Sequence, residues 1–152
     1  MTISESARMS SAAEARFRLD APNSRPRAVK VIALDAQSEP LVDELAQRRW
    51  NGAAFFTAAN LASDPARLRE EIDAADLVVM VATAGGDARD VALIGEACSR
   101  RRVTTTGLIV CDAATSDEAL SETLGRLRPW MLMLVTASST DYIEDMLLAL
   151  RA

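Results

Sequence analysis

The sequence predicts an α/β domain of the three-layer, doubly wound (Rossmann-like) kind: a parallel sheet of about five strands with helices on both faces. Three observations carry that prediction. After residue 27, short apolar runs alternate with amphipathic segments in five successive strand–helix units. The run Leu77–Thr83 is apolar at nearly every position, as a strand covered by helices on both sides must be. The connections are short and built from Gly, Asp, Ser and Pro. Strict alternation implies right-handed crossovers, and the simplest strand order is 2-1-3-4-5.

The elements follow in order. Residues 1–27 lack a sustained apolar period and carry five Arg against three acids, so they are expected to be a flexible tail. They contain no apolar core of a secretory signal. Residues 28–152 are expected to form one domain. VKVIAL, residues 29–34, is the first strand, and residues 41–50 form a helix with Leu41, Val42, Leu45 and Ala46 on one face. Asn51 and Gly52 are expected to close that helix in a left-handed backbone. AAFFTA, residues 53–58, is the second strand. Asp64-Pro65 opens a helix whose buried stripe is Leu68, Ile72 and Ala75. The third strand is Leu77–Thr83, and residues 87–102 form the next helix, with Val91, Ile94 and Cys98 facing inward. The fourth strand spans residues 103–111. Thr115 and Glu118 have the spacing of a capping box ahead of a helix carrying Leu120, Leu124 and Leu127. Residues 130–136 are the fifth strand, expected like the third to be well covered. A helix from about residue 139 buries Ile143, Met146, Leu147 and Leu150, and the domain is expected to be complete there.

Composition narrows the chemistry. The 152 residues carry a formal charge of −5, which argues against nucleic acid as a partner, and no apolar run reaches the roughly 18 residues of a membrane span. The expectation is a soluble, cytoplasmic protein. Histidine is absent, which removes the usual general base, the commonest metal ligand and every Ser-His or Cys-His pair. Two cysteines are too few for a metal cage or a disulfide framework. Cys98 belongs to an apolar helical stripe. Cys111, at a strand end, has a neighbouring Asp112 that would raise its pKa rather than activate it. Lys30 is the one lysine and lies at the wrong end of its strand for a catalytic role.

In a sheet of order 2-1-3-4-5 the chain reverses direction between the first and third strands, and ligands favour the crevice at their carboxyl ends. Asp35, Gln37 and Ser38 are expected to wall one side, with Thr83, Gly85, Gly86 and Asp87 opposite. Asp112 and Ser138 sit on the same rim. Gly85-Gly86 before a helix could offer backbone N–H groups to an anion, whereas Asp87 and Asp90 already put negative charge there. The alternative for this stretch is a tight turn with Asp87 capping the helix. Asp35 could serve ribose, a metal or a proton transfer, with Glu39 and Asp112 as further Mg²⁺ ligands, or it could simply open a turn. No complete dinucleotide or P-loop signature occurs, and no catalytic or metal constellation is assigned. A phosphoacceptor receiver domain is excluded, because the third strand ends in Thr83-Ala84 and no Lys follows the fifth.

AVKVIAL, the helix after it and GAAFFTAANL resemble the opening of the FtsZ/tubulin GTPase domain. ADLVVMVATAGGDARDVALIGEACSRRRVTTTGLIV is similar to that family's later strand, glycine loop, helix and strand. The resemblance covers about residues 28–136 and implies a nucleotide-binding α/β fold. Hydrolysis and filament formation are not carried over. Residues 35–40, DAQSEP, stand in place of that family's glycine-rich first loop, and only Gly85-Gly86 remain of the phosphate loop. ADLVVMVATAGGDARDVALIGEA also resembles sugar-isomerase (SIS) phosphosugar domains, though that loop's Ser and Thr are reduced to Thr83. The leading expectation is a non-catalytic binding or regulatory protein that takes a small anionic ligand, such as a nucleotide, in the crevice. The cofactor is not specified. A second expectation is an interaction subunit that has lost its ligand site and meets a protein partner through residues 1–27. An enzyme using Asp35, Cys111 or Asp112 comes third.

Overall fold

A computed structural model describes residues 27–138, 140–150 and 152. The expected tail lies outside the described residues except for Arg27. Five strands form one parallel sheet in the order β2-β1-β3-β4-β5, as the alternation predicts. They are β1 (Val29–Ala33), β2 (Ala54–Thr57), β3 (Leu77–Thr83), β4 (Thr104–Val110) and β5 (Met133–Ala137). Helices α1 (Glu39–Ala46) and α6 (Thr140–Ala149) pack on one face. Helices α2 (Ala58–Ala62), α3 (Pro65–Asp73), α4 (Val91–Arg100) and α5 (Asp117–Leu127) pack on the other.

The period of two in each strand divides the core between these layers. Val29, Val31, Val79, Val81 and Leu108 meet Val42, Leu45, Ile143 and Leu147 beneath α1 and α6. Ile32, Val78, Met80 and Ile109 meet Leu61, Ile72, Ile94 and Leu127 on the opposite side. β3 is buried on both faces from Leu77 to Ala82, which is why its boundaries were readable from the sequence alone.

Several local expectations are corrected. Ala58 does not extend β2 but opens α2, because Thr57 Oγ1 accepts the Asn60 N–H at 3.3 Å and so caps a helix. Helix α1 ends at Ala46 with Gln47 in right-handed conformation, so Asn51-Gly52 is not its left-handed cap. Gly52 instead admits the Arg27 carbonyl, which would lie 2.8 Å from a Cβ there. The cap of α5 is Ser116, whose Oγ accepts the Ala119 N–H at 3.1 Å, and not Thr115. Asp64 does cap α3 through Arg67 N at 3.2 Å, with Pro65 in the first turn.

β5 departs from expectation in a way that matters below. Arg128–Trp130 form a 3₁₀ turn, held by Thr105 Oγ1 donating to the Trp130 carbonyl at 2.7 Å, and the strand begins only at Met133. Although apolar in sequence, it is an edge strand with Met133 and Thr136 exposed. A Cβ at Gly95 of α4 would sit 2.7–2.8 Å from Trp130, so the glycine makes room for the indole of this turn. Among the described residues no helix is long and apolar enough to cross a membrane.

Candidate functional site

The chain reverses between β1 and β3, and the residues after both strands meet there. Asp35, 5% exposed, is the centre of that meeting. Its Oδ1 accepts the Ser38 N–H at 2.8 Å, and its Oδ2 accepts the Thr83 N–H at 2.7 Å. One carboxyl group therefore satisfies the first turn after β1 and the last residue of β3 together. Ser38 reinforces the junction, its hydroxyl lying 3.0 Å from the carbonyls of both Val81 and Asp35. Because its Oγ is engaged there, Ser38 precedes α1 without making a side-chain cap.

The glycine pair completes the closure. Gly86 N donates to the Thr83 carbonyl at 2.8 Å, and Gly85 between them has φ +81°, a backbone that glycine adopts without steric cost. Gly85 N donates to Thr123 Oγ1 of α5 at 2.8 Å. Gly86 lies directly against the Asp35 carboxyl, with Asp35 Cγ 2.8 Å and the Thr83 carbonyl oxygen 3.0 Å from where a Cβ would be. Both glycine N–H groups are therefore committed within the protein, and the space between the loops holds the Asp35 side chain.

The helix that was expected to begin at Asp87 begins four residues later, at Val91. Asp90 stands at its N-terminus without a side-chain cap bond, so the reading of Asp87 as the cap is corrected. Asp87 is exposed and bonds Arg89, with Arg126 at 4.0 Å. The hydrogen bond from Arg89 lowers its pKa against a smaller opposing effect of desolvation.

The other expected residues stand apart. Gln37 and Ser138 are exposed. Asp112 is exposed and folded into its own turn, Oδ1 accepting from Ala114 N at 2.8 Å while its N–H donates to Thr115 Oγ1 at 2.9 Å. The structure thus brings Asp35, Ser38, Thr83 and Gly86 together, turns Gly85 toward α5, and leaves Gln37, Asp87, Asp112 and Ser138 around the rim. Thr123 was missed by sequence reasoning. Its signal was a threonine sharing a helical stripe with Leu120, Leu124 and Leu127, 38 residues from its partner.

The cysteines offer no activated thiol. Burial pushes the Cys98 pKa up to about 12, and the Cys111 pKa is raised by burial and then by Asp112. Among the described residues no group of three or more His, Cys, Asp or Glu is placed to hold a metal ion. Cavities among the described residues lie elsewhere. A groove of about 250 Å³ runs between α3 and α4. A cavity of about 500 Å³ adjoins it near Asp76 and Arg102. The third, about 170 Å³, lies beside Phe55 and Phe56.

Fold and junction together define a doubly wound α/β domain whose switch point is filled by its own carboxyl side chain. No family model matches the chain, and no curated protein matches it. Among solved structures, it is similar to a candidate pilus assembly protein (cpaE) from Burkholderia thailandensis E264. Identity is 19%, with 80% of this chain and 95% of that chain covered and a TM-score of 0.41. The fold class rests on the sheet itself, and none of these findings speaks for the FtsZ/tubulin or sugar-isomerase resemblance in particular.

Proposed function

We propose that this protein is a non-catalytic interaction domain that works through its surface rather than through a ligand in the switch-point crevice. The observation that carries this reading is the Asp35 carboxyl between β1 and β3. It takes the Ser38 and Thr83 N–H groups at the position where a fold of this kind would receive an anion. A bound phosphate would have to displace that group, and the glycine N–H groups that could donate to it already donate to the Thr83 carbonyl and Thr123 Oγ1. Without histidine, and with both thiols shifted upward, the rim offers no activated nucleophile.

Thermal-shift measurements with purine nucleotides and sugar phosphates at millimolar concentration test the reading. A ligand present at about 100 times its Kd would add about 2.7 kcal/mol to stability, a readily visible rise in Tm. The expected result is no rise with any of them. A rise of several degrees with one of these compounds would overturn the proposal and restore the crevice as an anion site.

A further inference from the structure

Among the described residues the helices are divided unevenly, four on one face of the sheet and two on the other, and β5 keeps exposed positions. Five large apolar side chains are exposed among the described residues, and four of them lie in or just before β5 or in α6: Leu132 (78%), Met133 (44%), Tyr142 and Leu148. Among the described residues β5 has no strand beyond it. Soluble proteins usually guard such an edge with charge, proline or a bulge, yet residues 131–138 contain no charged residue, proline or glycine. The opposite edge is guarded. β2 is only four residues long, and Lys30 and Arg67 lie 5.9 and 5.6 Å from the Phe56 ring.

Charge indicates what covers β5. At its amino end stand exposed Arg102 and Arg128, and at its carboxyl end exposed Asp112 and Asp141. Two copies meeting edge to edge and antiparallel would set the basic end of each beside the acidic end of the other. A two-fold axis produces that arrangement, whereas a parallel meeting would oppose like charges. We infer that β5 is a self-association edge, where a second copy of this chain adds its own β5 antiparallel to make one continuous sheet. Leu132 and Met133 are covered in that pairing. The inference rests on the interaction reading above and names the partner.

Light scattering after size exclusion, at high micromolar concentration, tests it on the full chain. The expected mass is twice the 16.4 kDa of one chain. Leu132→Lys and Met133→Lys should each return it to 16.4 kDa with an unchanged circular dichroism spectrum. Leu93→Lys, at an exposed apolar site on α4, should leave the pair intact. A single-chain mass for the wild type overturns the inference. So does a pair that survives both β5 lysines or that dissolves with Leu93→Lys. Hydrogen exchange of the wild type provides a readout independent of any variant: β5 amides should be slowed as concentration rises, and equal exchange at both ends of the range overturns the edge assignment. A single-chain wild type sinks the pairing and leaves the interaction reading standing. A nucleotide-induced rise in Tm sinks that reading and leaves the mass measurement interpretable.

Discussion

The β1/β3 junction and the β5 edge are opposites within one sheet. At the junction, polar groups from two strand ends and two loops are paired, and a glycine lies flat against the carboxyl that joins them. At β5, the strand edge and the apolar side chains beside it face outward. The usual ligand end of this architecture is thus paired within the protein, while among the described residues no further strand protects the β5 edge. A fold's shape does not by itself define a site, and the two regions differ in what their own side chains and backbone groups leave unpaired.

That contrast can be broken at either end, and the largest effect is expected at the junction. Asp35→Ala removes the acceptor of two backbone N–H groups and should cost about 3 kcal/mol, read by urea denaturation. Asp35→Asn should cost a comparable amount, because its amide presents N–H to one of the two donors. A neutral Asn variant would show that the carboxyl is not holding both strand ends. Next in size, Gly86→Ala should cost about 2 kcal/mol, because its Cβ meets the Asp35 carboxyl and the Thr83 carbonyl. In the Asp35→Ala background that cost should fall by about 1 kcal/mol, since one of the two obstacles is gone. Additive costs would refute the contact. The smallest effect belongs to the edge: at a dilution where only single chains remain, Leu132→Lys and Met133→Lys should each change stability by less than about 0.5 kcal/mol. A large loss there would mean that β5 is part of the core rather than a free surface.

The sheet was legible because its signals are local. Asp76 and Gly85 bracket a run, apolar but for Thr83, that becomes β3, and Asp64-Pro65 announces α3 within two residues. Helix α2 was not legible, since five residues of AANLA are too short to show a helical period. The late start of β5 was hidden for another reason: Thr105, in β4, fixes the preceding turn from 25 residues away. The site followed the same rule. Asp35 and the Gly85-Gly86 pair could be placed at the switch point by counting strands. Their chemistry depended on contacts spanning 48 and 38 residues, Asp35 to Thr83 and Gly85 to Thr123, which no local pattern records. The alternatives weighed for Asp35 were ribose, metal, proton transfer and turn. They differ only in what its two oxygens touch.

The two tryptophans give the molecule a further property. Trp50 donates from Nε1 to the Leu45 carbonyl at 2.7 Å and packs on the α1/α6 side, its ring 5.7 Å from that of Phe55. Trp130 lies on the opposite side, against Gly95. Each hydrophobic layer therefore contains its own intrinsic fluorophore, separated by the sheet. The emission of the intact chain is a sum of two signals, one per layer, and removing either indole leaves a native optical reporter of the other.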